Sequence, residues 1–144
     1  MFGTAIDCAA VRIHRRRWWP LQPRLVTMAP CGHIHFPATS PHYRDDFAQS
    51  GPASQGLFIH EMTHVWQAQQ RGRWYLPLHR HPFCRYRYEL VPGKPFAAYG
   101  IEQQAEIVRH AFLLKHHSRP DTQAEAEALE RLLPFNEKSG PSCS

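Results

Sequence analysis

Residues 60–64 read His60-Glu61-Met62-Thr63-His64, and this pentad is where the chain can do chemistry. On an α-helix, residues i and i+4 lie one turn apart on the same face. His60 and His64 can therefore converge on one zinc ion (Zn2+), at the roughly 2.0–2.1 Å that imidazole ligands take. Glu61 lies about 100° round the helix from His60. From there it reaches water on the metal without joining the ligands. Zinc lowers the pKa of that water toward neutrality, and Glu61 is placed to take its proton as it attacks a carbonyl. These are the mechanics of the H-E-x-x-H motif. The motif lies in residues 57–71 (LFIHEMTHVWQAQQR), a run apolar nearly all round its first two turns, which predicts a buried helix. Buried histidines need partners, and a metal ion supplies one. Without a metal they would be satisfied core histidines beside an exposed glutamate.

A catalytic zinc site takes three protein ligands and leaves one position for water. Glu102, 38 residues after His64, opens the stretch Glu102-Gln103-Gln104-Ala105-Glu106 on the next helical pattern. Glu102 and Glu106 share a face, and Ala105 between them is small enough for close helix approach. Two carboxylates on one face repel each other unless a cation is near. Glu102 is the candidate third ligand. Glu106 is the candidate acceptor for a ligand histidine, fixing its tautomer. The plainer reading is the solvated acidic face of an amphipathic helix.

HEMTHVWQ followed by EQQAE resembles the gluzincin pattern, H-E-x-x-H then E-x-x-A-[DE]. With Thr27, GHIHFP and the Asp45-Asp46-Phe47 loop, the chain resembles one group more closely. These are short Vgr-related proteins and metallopeptidase-like domains of contractile injection and type VI secretion systems. The resemblance covers about residues 24–112. It implies that His60, His64 and Glu102 bind zinc, that Glu61 is the base and that Glu106 supports a ligand histidine. It also implies that the strand around residues 33–36 is the edge that lines the substrate cleft in zincins, free to pair with an extended peptide.

Peptide hydrolysis also needs a group for the oxyanion. Tyr99, one turn before Glu102, is a candidate, as are His79, His81, Tyr86 and Tyr88. Each is equally a surface or packing residue. Cys31, His33 and His35 alternate and could share a sheet face as a second metal site, with His42 nearby; a strand with a polar solvent face is the bland reading. Arg15-Arg16-Arg17-Trp18-Trp19 mixes cations and aromatics that could grip nucleic acid or an anionic membrane, although short basic runs are usually solvated. Trp66 is expected in the core.

Several elements must position these residues. Residues 9–14 alternate and suggest a strand, residues 25–27 a loop or short strand, and residues 33–36 a strand closed by Pro37. Residues 38–56 are expected as a loop. Gly72 is a helix stop, and residues 73–98 are irregular with a possible strand at 85–91. A second helix is expected over residues 99–117, ended by Pro120, and a third over about 122–133. The expected architecture is an α+β, zincin-like single domain, residues 1–134. A short twisted sheet packs on the H-E-x-x-H helix, a second Glu-bearing helix crosses it, and a disordered tail covers 135–144.

The 144 residues suit one domain with its own core. Thirteen prolines and eight glycines predict short elements and many loops. A net charge of +5 favours acidic partners weakly. Four spaced cysteines without a C-x-x-C pair exclude a zinc ribbon and are expected as reduced thiols, two disulfides remaining open to an exported protein. The N-terminus has its apolar part before its basic run, the reverse of a secretory signal. No apolar run reaches a membrane span. The chain is expected to be made in the cytoplasm, with any export by a signal-independent route. The functional expectation is zinc-dependent peptide hydrolysis. The rivals are a catalytically silent, zinc-stabilised adaptor of a secretion machine, and a basic nucleic-acid-binding module.

Overall fold

The computed structural model describes residues 1–80, 84–117 and 122–135. It is mixed and rich in helix. Strand β1 (Ile13–His14) pairs in parallel with β2 (Ile34–His35), and helices α1 (Pro52–Arg71), α2 (Tyr75–His79), α3 (Ile101–His117) and α4 (Gln123–Leu132) follow. The α+β expectation holds at this level, with a sheet only two residues long.

The motif helix begins earlier than its apolar run suggests. Gly51 precedes it and Pro52 occupies the first turn, where a missing N–H costs nothing. Residues 52–56, expected as loop, are therefore helix. Gly72 ends α1 at φ 96°, a conformation that glycine adopts without strain. Every residue from His60 to Val65 is buried, as an all-round buried helix requires.

The core lies on two sides of α1. Met62 and Val65 join Ile6, Ile34, Phe36 and Phe47 on one side. On the other, Ile107, Val108 and Ala111 of α3 pack with Leu129 of α4, Phe96 and Leu133. Half-buried Trp66 touches both sides, so its expected core role stands. Phe135, the first residue of the expected tail, stacks edge-on to Phe2 and Trp66. The rest of that tail, and Pro120, lie outside the described residues.

Three further sequence expectations need correction. Residues 9–14 are not one strand: Asp7 caps a 3-10 turn at Cys8–Ala10, and only Ile13–His14 pair. Residues 85–91 form no strand, because side chains bond their backbone where a neighbouring strand would. Gln103 Nε2 donates to the Arg87 carbonyl, Tyr99 donates to the Glu89 carbonyl, and the Val91 N–H donates to the Tyr99 hydroxyl. Finally, β2 is not a free edge. Ile34 and Phe36 donate to Arg12 and His14 on one side, while His35 and Met28 exchange two hydrogen bonds on the other. A peptide cannot add along a strand whose both sides are taken.

Candidate metal centre

Helices α1 and α3 place the chemistry between them. His60 and His64 project from adjacent turns of α1, and Glu102 comes from the first turn of α3. His60 Nε2 lies 3.2 Å from His64 Nε2, and Glu102 Oε2 lies 3.2 Å from each. All three residues are buried. Among the described residues they are the one group of three that could hold a metal ion. Bonds of about 2.0–2.1 Å in a tetrahedral shell separate ligand atoms by about 3.3 Å. The donor set therefore fits zinc in both chemistry and spacing. Two imidazole nitrogens and a carboxylate oxygen converge on one point, an arrangement that a cation can join.

Around this triangle the side chains are held from behind. His60 Nδ1 is 2.8 Å from Glu106 Oε1, a charge contact rather than an aligned hydrogen bond. Glu106 thus stands where the i, i+4 spacing from Glu102 suggests. Arg109 and His110 hold its carboxylate from the solvent side. His64 Nδ1 meets Gln67 Oε1 at 2.8 Å. Gln67 Nε2 donates to the Ile101 carbonyl and to Gln104 Oε1, and Gln104 Nε2 donates to the Tyr99 carbonyl. With both amide protons spent, Gln67 can only accept from His64. His64 then carries its proton on Nδ1 and leaves the Nε2 lone pair free. Sequence reasoning missed this role for Gln67. Its signal was a polar residue three positions after His64 on a buried helix.

The electrostatics follow from the burial. Desolvation works against a charged His60, but Glu102 and Glu106, with Glu61 beyond, raise its pKa to about 9. Burial likewise opposes the Glu102 carboxylate, yet His60, His64 and Arg80 hold its pKa well below the usual range. Glu61 is different. Burial raises its pKa against the pull of both histidines, and its Oε2 is buried with no partner.

Glu61 and His60 line a 430 Å³ cavity with Leu25, Val26, Arg80 and Tyr86. A 970 Å³ groove beside it shares Tyr86 and Glu106 and runs along residues 85–91. Arg80, just after α2, pairs its Nε with Glu102 Oε1. Nothing in the irregular segment that carries Arg80 signalled this.

The oxyanion candidates are dispersed. Tyr99 is buried with its hydroxyl spent on Glu89 and Val91. Tyr88 bonds His110, and His79 turns onto the Tyr75 carbonyl. His81 lies outside the described residues. Tyr86 stacks on His60 with ring centres 6.3 Å apart and lines the cavity.

Cys31, His33 and His35 are not brought together as a metal group. His35 stacks on His14, His33 meets His14 edge-on, and the Arg12 N–H donates to His33. Arg12 and Arg16 add positive charge at His14, which disfavours a cation there. Arg15 lies over Tyr43, and Arg17 donates to the Pro20 carbonyl, so two of the three basic residues turn back on the protein. Cys8 and Cys31 form no disulfide, and Cys143 lies outside the described residues. Among the described residues no helix is long and apolar enough to cross a membrane.

No protein-family model matches the chain. Over 123 residues it is 41% identical to the type VI secretion system spike protein VgrG2b of Pseudomonas aeruginosa, a match covering 81% of this chain but 12% of that protein. A solved structure, the effector domain of P. aeruginosa VgrG2b, superposes with a TM-score of 0.67 at 37% identity and covers 90% of this chain. Because the match also takes in 73% of that domain, the chain belongs to the family of the VgrG2b effector domain.

Proposed function

We propose that this chain is a zinc-dependent peptide hydrolase with a zincin-like site, working with or delivered by a type VI secretion spike. The observation that carries this reading is the triangle of His60 Nε2, His64 Nε2 and Glu102 Oε2, with Glu61, whose Oε2 has no hydrogen-bond partner, lining the adjoining cavity. Bound zinc supplies Lewis acidity and lowers the pKa of water in its open position.

The chain's own residues do the rest. Glu61 takes the proton of the attacking water as its oxygen bonds the peptide carbonyl carbon. It returns that proton to the departing amine nitrogen as the C–N bond breaks, leaving a carboxylic acid and an amine, which end as a carboxylate and an ammonium once the acid gives up its proton. Gln67 and Glu106 orient the ligand histidines. Tyr86 is the oxyanion candidate that lines this cavity. Exposed Leu25 and Val26 form an apolar rim against which a substrate side chain can rest.

The link to secretion is drawn from the relatives. VgrG2b is a type VI spike protein, so spike components are the proposed partners, and export with the spike needs no cleaved signal. Nucleic acid is not a proposed partner.

Metal analysis by plasma mass spectrometry, with digestion of a peptide library, tests the reading. About one zinc per chain, lost from His60→Ala and Glu102→Ala, together with cleavage by the wild type, is expected. A fully loaded, folded protein that cleaves nothing would leave the silent adaptor. A folded protein that takes up no added zinc would overturn the metal reading itself.

A further inference from the structure

Glu102 has two oxygens in a fully buried place, and they face different partners. Oε2 lies 3.2 Å from the Nε2 of both His60 and His64. Oε1 is in ion-pair contact with Arg80 Nε. Arg80 is itself anchored: its backbone N–H bonds the Leu76 carbonyl at the end of α2, and its Nη2 reaches the Tyr86 hydroxyl at 3.5 Å. Its Nη1 is buried without a hydrogen-bond partner, and so is Glu102 Oε1, so Arg80 holds that oxygen by charge rather than by an aligned hydrogen bond.

A carboxylate can ligate through one oxygen or chelate through both. Chelation by Glu102 would spend the position that a hydrolytic centre keeps open. Turning Oε1 toward the ion would break the ion pair between the half-buried Arg80 guanidinium and a fully buried carboxylate, which is costly.

We propose that Arg80 is a positioning residue of the metal centre, holding Oε1 of Glu102 so that only Oε2 is presented and one coordination position stays open. The proposal rests on the metal-binding part of the function proposed above, not on the peptidase activity. Arg80 also lines the cavity beside Glu61, but the role proposed here needs no contact with substrate. It acts through Glu102. A guanidinium suits the task because its planar fork can hold one carboxylate oxygen and a second acceptor at once.

The competing role is charge balance, in which Arg80 merely neutralises a buried carboxylate. Bound metal would take that role over, and removing Arg80 would then leave the coordination unchanged. Cobalt-substituted protein separates the two. The expected result is that Arg80→Gln lowers the visible cobalt bands by about twofold or more, as a four-coordinate ion becomes five-coordinate. Arg80→Lys, which keeps a cation near Oε1, is expected to restore the wild-type spectrum. Wild-type band positions and intensities in fully loaded Arg80→Gln would overturn the proposal while leaving the metal centre intact. Should both variants fail to fold, X-ray absorption on zinc-loaded wild type decides. One carboxylate oxygen near the metal supports the proposal, and a chelating carboxylate overturns it. A wild type that binds neither cobalt nor zinc would remove the metal reading and this proposal together.

Discussion

At the scale of single residues, the proposed site separates groups that would hold the metal from a group that would move protons. Glu61 is buried beside the positive charge of His60, His64 and Arg80, yet its Oε2 has no hydrogen-bond partner, as befits a base whose partner is transient. Glu61→Gln keeps the shape and removes the basicity. It is expected to lower turnover by about 10²–10⁴-fold while zinc content stays at the wild-type level. Loss of zinc in that variant would show instead that Glu61 is part of the ligand set. Gln67 makes a different kind of contribution. Gln67→Leu removes the acceptor that keeps the His64 proton on Nδ1. Zinc affinity, read by competition with a chromophoric chelator, is expected to weaken about 10- to 100-fold. An unchanged affinity would mean that helix packing alone sets the imidazole. These roles were unevenly legible. The i, i+4 spacing of His60 and His64, and that of Glu102 and Glu106, follows from helix geometry. The tautomer control by Gln67 depends on a carbonyl and an amide of another helix, 34 and 37 residues away, which no local pattern reveals.

At the scale of elements, the site is a product of one crossing, α1 against α3. Small residues allow it. Ala105 is fully buried between Glu102 and Glu106. A Cβ at Gly56 would meet the Arg109 guanidinium and Leu113 at 3.2 Å. Gly56→Leu should force the helices apart, costing about 1–3 kcal/mol in denaturant melts. It should also loosen zinc, because two ligands lie on one helix and the third on the other. Weakened folding with wild-type zinc affinity would show that the two ends of the crossing are uncoupled. Elements also account for the failed strand expectations. A two-residue strand has too few positions for alternation to be diagnostic. The segment over residues 85–91 carries strand-like residues but finds Gln103 and Tyr99 in place of a neighbouring strand.

At the scale of the whole molecule, stability is expected to depend on acid at a residue outside the candidate metal centre. His35 is buried against His14, with the Arg16 and His33 charges nearby, and its pKa falls to about 4, burial being the chief cause. An unfolded chain binds a proton at this residue near pH 6.5, whereas the folded chain does so only near pH 4. Between those values the unfolded state holds more protons, so stability rises with pH and is lost as pH falls through the window. The slope from this residue is at most about 1.4 kcal/mol per pH unit. Urea melts of zinc-saturated wild type and His35→Gln between pH 4 and 7 measure it. The wild type is expected to lose the more stability in acid, and parallel curves would count against the assignment. Zinc should also raise the melting temperature of the whole chain, since a ligand that binds only the folded state stabilises it in proportion to the logarithm of its free concentration. A melting temperature unmoved by chelator would argue that the centre is empty or that binding is uncoupled from folding.

The amino-acid order by itself determined what is periodic. It showed a buried helix carrying two histidines one turn apart, a second helix with two carboxylates in the same relation, and a terminal helix in nearly its observed place. These depend on backbone geometry that every α-helix shares, so spacing alone carries them. Only the tertiary structure decided what depends on distant neighbours. It closed β2 on both sides, gave Tyr99 to a loop rather than to the cavity, and set Arg80 and Gln67 behind the ligands. Such contacts follow no helical or strand period, and their geometry exists only once burial of the two hydrophobic clusters has fixed how α1 and α3 cross.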